Sequence, residues 1–148
     1  MLKFRNTLTA ICAISFATLA PLLASADETT LYDKLGGHDG VTEIISDMLD
    51  YSLSNPRISQ IFDNSNIPRL QNLLVEHICS LTDGGCVYTG QDMDKSHAGL
   101  GIDNRHFNAL VEDLQKAMDD NDIPFRTQNK LLAILAPMHD DITKYSDY

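Results

Sequence analysis

The residue of this sequence best suited to holding a metal or cofactor is His97, which stands in the stretch Ser-His-Ala-Gly-Leu-Gly-Ile at residues 96–102. Gly99 and Gly101 follow closely and predict the end of a short helix. A histidine on the last turn of such a helix can present one ring nitrogen to a metal or cofactor in a neighbouring cleft. On these residues alone the alternative is a histidine that caps the helix C-terminus, where the helix dipole favours it.

The elements that position His97 are predicted to be helices, because apolar residues recur at spacings of three and four in four substantial segments. Asp39 and Asp103 are predicted N-caps, Pro68 marks a helix start, and Pro137 should kink the last helix or end its first half. His106 is predicted to point outward. The sequence therefore predicts an all-α domain, either a plain bundle or a globin-like packing. The segments run from about 39 to 55, 68 to 81, 103 to 122 and beyond 124, with shorter turns near 32–35, 58–62 and 92–97.

The first 26 residues are typical of an export signal. Lys3 and Arg5 give a positive start, an apolar run follows, and Ala-Ser-Ala at 24–26 fits a cleavage site after Ala26. A retained membrane anchor is the less favoured alternative, because the apolar run is short and interrupted. Residues 27–148 are then one domain, with its core at 31–143, in a periplasmic or secreted protein.

The charge of the chain is strongly acidic, with a formal net charge of −10 that would become −12 on loss of Lys3 and Arg5 with the signal. An acidic surface repels phosphate backbones and anionic lipid. The composition therefore argues against nucleic acid as a partner, and no stable membrane span is expected after the signal is removed.

Two cysteines, Cys79 and Cys86, remain beyond the signal segment. An even count in an oxidising compartment favours a disulfide, and Gly84 and Gly85 between them would let the chain turn back. The alternatives are two free buried thiols or an exposed redox switch. Two cysteines are too few for a structural zinc site without added histidines.

Four short motifs follow one another along the chain: Leu-Tyr-Asp-Lys-Leu-Gly-Gly at 31–37, Tyr-Thr-Gly at 88–90, the His97 stretch at 96–102 and Ile-Leu-Ala-Pro-Met at 134–138. In this order they resemble the motifs of the group I truncated haemoglobins. The resemblance spans nearly all of residues 31–143. It implies a two-over-two helical sandwich, a shortened globin in which an extended loop replaces most of the helix before the proximal histidine, with one haem per chain.

The resemblance also implies roles for individual residues. His97 falls on the position of the proximal ligand and is therefore the expected metal-binding residue, and Tyr88 is expected to reach a haem propionate. One imidazole for the iron and apolar walls for the porphyrin are what haem requires. The residues expected to contact the haem are Phe62, Leu70, Leu74, His77, Tyr88, Met93, His97, Phe107 and Leu135.

The sequence departs from the family on the distal side of the haem. Many members carry a tyrosine at the position of Leu49 and a glutamine at that of Leu74, while Leu70 occupies the usual distal gate. None of these leucines can donate a hydrogen bond. Because a distal donor stabilises bound oxygen by about 1 kcal/mol or more, we expect faster oxygen release than in a tyrosine-bearing relative, and easier oxidation of the ferrous form.

His77 is the polar residue next to this distal set. It matches an aromatic position that packs on the haem edge in the family, so packing is the favoured interpretation. The alternative is that its ring swings in as a sixth ligand of the iron.

Three classes of function follow. The first is an exported haem protein that reversibly binds oxygen, nitric oxide or carbon monoxide. The second is haem electron transfer or nitric oxide detoxification, such as a nitric oxide dioxygenase, served by an unknown reductase or electron donor. The third is an exported helical module without haem whose apolar groove binds a lipid or a partner, which would make His97 and its glycines a coincidence.

Overall fold

The computed structural model describes residues 29–144, and over that range it consists of helices, turns and loops. The predicted signal segment, with its cleavage position after Ala26, lies outside the described residues. Over the described range no helix combines the length and the apolar character needed to cross a membrane. The α-helices are α1 (Leu31–Lys34), α2 (Gly37–Ser54), α3 (Ile67–Leu81), α4 (Met93–His97), α5 (Asn104–Asp120), α6 (Phe125–Leu135) and α7 (His139–Thr143), with 3₁₀ turns at Ser59–Phe62 and Ala136–Met138.

Several helix ends lie where local sequence signals predicted them. Asp103 caps α5 by accepting hydrogen bonds from the backbone N–H groups of Arg105 at 2.9 Å and His106 at 3.1 Å. Pro68 lies in the first turn of α3, where its missing N–H is not needed. Pro137 lies just beyond α6, in the 3₁₀ turn that separates this helix from α7.

Two local predictions are wrong. Asp39 does not cap α2, because the helix begins two residues earlier at Gly37 with Gly36 as its N-cap, and Asp39 lies in the first turn. His106 does not point outward, since its side chain is only 15% exposed. Its Nδ1 atom accepts a hydrogen bond from the backbone N–H of Asp103 at 3.1 Å, which closes a capping box at the start of α5.

The four long helices form two packed pairs. Helix α2 packs against both α3 and α5, α6 packs against α5, and α1 contacts both α2 and α6. The pairs α2 with α3 and α5 with α6 confirm the predicted all-α two-over-two arrangement. The buried core between them consists of Leu35, Val41, Ile44, Ile45, Met48, Leu49, Val75, Ile78, Leu114, Ala117, Met118 and Leu131.

A buried carboxylate joins the end of α2 to the middle of α5. Asp113 on α5 is 8% exposed. It accepts hydrogen bonds from the hydroxyl of Ser52 at 3.0 Å and from the side-chain amide of Asn55 at 3.1 and 3.2 Å. Because a buried carboxylate is costly without partners, these bonds fix the register in which α5 crosses α2.

Candidate haem site

His97 is the last residue of α4, the short helix that the sequence predicted at this position. Asp92 caps the other end of the helix by accepting the backbone N–H of Lys95 at 2.8 Å. Behind the histidine the chain passes through Gly99 with φ of +79° and Gly101 with φ of +62°. Side-chain-bearing residues rarely adopt such angles, so the two glycines allow the helix to end directly after His97.

The imidazole of His97 is oriented by its own helix. Its Nδ1 atom lies 2.7 Å from the carbonyl oxygen of Met93, one turn earlier. Because a carbonyl oxygen can only accept, Nδ1 is the donor in this hydrogen bond, and the neutral ring then carries its free lone pair on Nε2. A histidine whose second nitrogen is fixed in this way is the usual form of a metal-binding histidine.

Helix α4 is held in place by α7. The two helices pack together, and the ammonium group of Lys144 lies 2.6 Å from a carboxylate oxygen of Asp94 on α4. The rings of Phe107 on α5 and His139 on α7 meet edge to face with centroids 4.9 Å apart. The position of His97 is therefore set by the C-terminal part of the fold, whereas α3 is positioned by α2.

Most of the apolar residues predicted to line the haem pocket are half-buried. Such a residue packs one side against the core and leaves the other side available to a ligand. Leu49 differs from the other two distal leucines, because it is only 2% exposed and belongs to the core itself. The half-buried residues packed against the core are Phe62, Leu70, Leu74 and Leu135, and Met93 and Phe107 are half-buried as well.

His77 lies on α3 with both ring nitrogens buried and without a hydrogen-bond partner among the described residues. Its ring lies against that of Tyr88, with centroids 4.6 Å apart and planes inclined by 51°. Burial lowers the pKa of His77 below its usual 6.5, so the ring is neutral at pH 7. The structure places His77 as a packing partner of Tyr88.

Tyr88 lies between His77 and Gly90. A Cβ atom on Gly90 would lie 2.2 Å from the Tyr88 hydroxyl oxygen and 2.3 Å from Cζ, so only glycine leaves room for the ring. Burial raises the pKa of Tyr88, and the carboxylates of Glu76 and Asp92 raise it further. The glycine of the Tyr-Thr-Gly motif thus has a packing role beside the ring that was predicted to approach a propionate.

Glu76 is a contributor to this region that the sequence did not indicate. Its carboxylate oxygen Oε2 accepts hydrogen bonds from the backbone N–H of Thr89 at 3.1 Å and from the Thr89 hydroxyl at 2.7 Å. The two residues are 13 positions apart, so no local spacing rule predicts the contact. It attaches the loop that carries Tyr88 to α3.

Cys79 and Cys86 are joined in the structure, with Cα atoms 5.6 Å apart, within the range usual for disulfides. Cys79 is fully buried on α3, whereas Cys86 is exposed in the following loop. The predicted chain reversal at Gly84 and Gly85 lies between them.

The chain belongs to the bacterial-like globins, whose family model matches residues 30–144. Within that family it is a group I truncated haemoglobin, and haem is its cofactor. It is 28% identical over 117 residues to the group 1 truncated hemoglobin GlbN of Mycolicibacterium paratuberculosis, covering 79% of this chain and 86% of that protein. It is 30% identical over 90 residues to GlbN of a Nostoc species, covering 61% of this chain and 76% of that protein.

Solved structures show the same fold. The truncated hemoglobin of Tetrahymena pyriformis in its Fe(III) form superposes with a TM-score of 0.74 at 22% identity, covering 76% of this chain and 97% of that one. The 2/2 hemoglobin of a Synechococcus species, solved with covalently attached heme, gives a TM-score of 0.73 at 19% identity, covering 78% of this chain and 98% of that one.

The residues present fit a haem group. Haem needs one basic nitrogen for the iron and apolar surfaces for the porphyrin, and the hydrogen bond between His97 and Met93 leaves Nε2 of His97 free to serve as such a nitrogen. Half-buried leucine and phenylalanine side chains are available on α3, α5 and α6. Tyr88, whose ring packs against His77 of α3, adds a hydroxyl.

Proposed function

We propose that this chain is an exported haem protein that reversibly binds oxygen or another diatomic ligand, such as nitric oxide or carbon monoxide, at an iron held by His97. The observation that carries the proposal is the hydrogen bond from Nδ1 of His97 to the carbonyl of Met93. It sets the tautomer, so that Nε2 is the coordinating atom, and it restrains rotation of the ring.

The apolar residues act by excluding water. Phe62, Leu70, Leu74, Phe107 and Leu135 present carbon surfaces to the porphyrin and bury it. When bound, ferrous haem supplies the coordination position at which a diatomic gas binds. Leucine side chains limit the access of water to that position, and Tyr88 provides a hydroxyl for a propionate at the edge.

The distal side distinguishes this chain from tyrosine-bearing relatives. Leu49, Leu70 and Leu74 have no group that can donate a hydrogen bond to the bound gas. Oxygen depends on such a donor more than carbon monoxide does, because it takes up negative charge on binding. We therefore propose fast oxygen dissociation with little penalty for carbon monoxide or nitric oxide.

Haem electron transfer is the second candidate, and one observation favours it. Neither ring nitrogen of His77 has a hydrogen-bond partner within residues 29–144, and an imidazole that turned toward the iron would give a site closed to gases. Ferric and ferrous absorption spectra decide between the two. A bis-histidyl ferric spectrum that is lost in His77→Phe supports electron transfer, and an open or water-bound spectrum supports gas binding.

The proposed export of the chain is consistent with a disulfide, because disulfides persist in compartments outside the cytoplasm. A signal at residues 1–26 would carry the chain to the periplasm or outside the cell, where the Cys79–Cys86 bond persists and an unidentified reductase returns the iron to its ferrous state. The exported protein should have a mass that corresponds to residues 27–148 with two fewer hydrogen atoms than the dithiol form.

The experiment that tests the site is the replacement of His97 by glycine, with free imidazole as a rescue ligand. We expect a strong Soret band in the wild type, a weakened or shifted band in His97→Gly, and restoration by imidazole. His38→Gly is the matched control, since His38 is an exposed histidine on α2. A His97→Gly spectrum identical to that of the wild type would overturn the proposal.

A further inference from the structure

The loop at residues 84–90, here called the strap, begins with a hydrogen bond from the backbone N–H of Gly84 to the carbonyl oxygen of Cys79 at 2.9 Å. Beyond Gly84 it is attached to α3 at three points. Cys86 is bonded to Cys79, the ring of Tyr88 lies against that of His77, and Thr89 donates two hydrogen bonds to Glu76. The three attachment points on α3 lie within about one helical turn of one another. His77 and Tyr88, which meet at one of these points, are among the residues predicted to contact the haem.

The disulfide is the strongest of these attachments. The hydrogen bonds between Thr89 and Glu76 are exposed, so water replaces them at little cost. The contact between His77 and Tyr88 leaves both imidazole nitrogens without a partner in the part of the chain that the structure describes, which disfavours the closed arrangement. Without the covalent bond, these weaker contacts are what the described residues offer to hold the part of the strap that carries Tyr88, while the hydrogen bond from Gly84 to Cys79 holds its first residue.

The two bonded cysteines differ in their exposure. Cys86 lies in an exposed position and its neighbour Val87 is 80% exposed, whereas Cys79 is fully buried. An external thiolate can therefore approach the bond at Cys86. An exposed valine beside the accessible cysteine is also a surface on which the apolar rim of a dithiol protein could rest.

We propose that the Cys79–Cys86 bond is a thiol–disulfide switch that controls how tightly the haem pocket is closed by Tyr88 and His77, and that its partner is a dithiol reductant acting at Cys86. The proposal rests on the proposed function, since it takes His77 and Tyr88 as walls of the haem pocket. Opening the bond releases the strap from α3 and weakens the hold on the haem edge.

The exchange is balanced in two steps. A thiolate of the partner attacks the sulfur of Cys86, forming a mixed disulfide, and the sulfur of Cys79 leaves and takes up a proton. The second thiol of the partner then attacks the partner sulfur that is bonded to Cys86 in the mixed disulfide. This step releases Cys86, which is protonated. The protein disulfide gains two electrons and two protons, and the partner is oxidised from dithiol to disulfide.

The test is the rate at which haem passes from the purified ferric protein to an excess of apomyoglobin. Cys86→Ser opens the bond without altering the buried Cys79, and Val87→Ser is the matched control because it changes the strap and keeps the bond. Wild-type protein is measured before and after treatment with a phosphine reductant, with free thiols assigned to Cys79 and Cys86 by peptide mass. The same reductant applied to Cys86→Ser controls for any effect on haem itself.

We expect haem loss about tenfold faster from Cys86→Ser and from the reduced wild type than from the bridged wild type or Val87→Ser. Equal rates from bridged and open proteins would overturn the switch, as would a bond that the reductant cannot open in the folded protein. Should Cys86→Ser fail to fold, the reduced wild type alone decides. His97→Gly separates the two proposals: if it loses haem no faster than the wild type, the assignment of His97 is wrong instead.

Discussion

A Cβ atom placed on Gly90 would lie 2.2 Å from the hydroxyl oxygen of Tyr88. No side chain fits at this separation, so the tyrosine ring keeps its place against His77 only while residue 90 is glycine. The relationship links the last residue of a short sequence motif to the position of an aromatic ring that we place at the haem edge.

Gly90→Ala should therefore displace the ring of Tyr88 and destabilise the fold by about 1 to 3 kcal/mol, the usual cost of overpacking. Denaturant unfolding measures the loss, and the ring resonances of Tyr88 report the displacement. Gln91→Ala, at the exposed neighbouring position, is the control and should change neither quantity. Unaltered Tyr88 resonances in Gly90→Ala would contradict the packing described here.

Leu74→Gln should slow oxygen dissociation by about fivefold, because one distal amide donor contributes on the order of 1 kcal/mol to holding oxygen. Leu74 is half-buried at the surface of the core, so an amide of similar size can be accommodated. Stopped-flow replacement of oxygen by carbon monoxide measures the rate constant. Leu74→Met is the matched control, since it keeps the length and supplies no donor; equal rates in the two variants would exclude Leu74 from the distal pocket.

Asp103 should contribute to the acid sensitivity of the fold. The guanidinium of Arg105 donates to its carboxylate at 2.9 and 2.7 Å and, with the backbone N–H of His106, lowers the pKa of Asp103 from 3.8 to about 2. A pKa that is lower in the folded state means stabilisation that is fully present above the unfolded value of 3.8 and is lost as the pH falls through about 2.

Asp103→Asn should consequently lose less stability than the wild type when the pH is lowered over this interval. Asparagine is as good an N-cap as aspartate, so the start of α5 is preserved and the change isolates the charge. Urea unfolding at a series of pH values measures the effect. Parallel pH profiles for the two proteins would show that the ion pair does not contribute to folding.

Sequence reasoning was most reliable where a structure depends on neighbouring residues. Asp103 and Pro68 mark helix starts because caps and first-turn prolines act within three or four positions, and Gly99 and Gly101 end α4 for the same reason. Asp39 failed as a cap because Gly36, with φ of +91°, starts the helix before the aspartate can do so. The predicted outward orientation of His106 was wrong for a related reason, because its ring turns back to the N-cap residue Asp103 and does not point into solvent.

The contacts that shape the site are of longer range and were not predictable. Thr89 meets Glu76, and Ser52 meets Asp113 from 61 positions away, only because the helices cross as they do. Periodicity likewise could not separate Leu49, which is sealed in the core, from Leu70 and Leu74, which keep part of their surface exposed. Residue type predicted the chemistry of these positions, and packing decided their accessibility.

The proposed bond between iron and Nε2 of His97 is tested most directly by resonance Raman spectroscopy of the ferrous protein without a gas ligand. We predict an iron–histidine stretching band that shifts when histidine is labelled with ¹⁵N and that disappears in His97→Gly. A band that survives in His97→Gly, or a ferrous protein with no histidine-dependent band, would contradict the account.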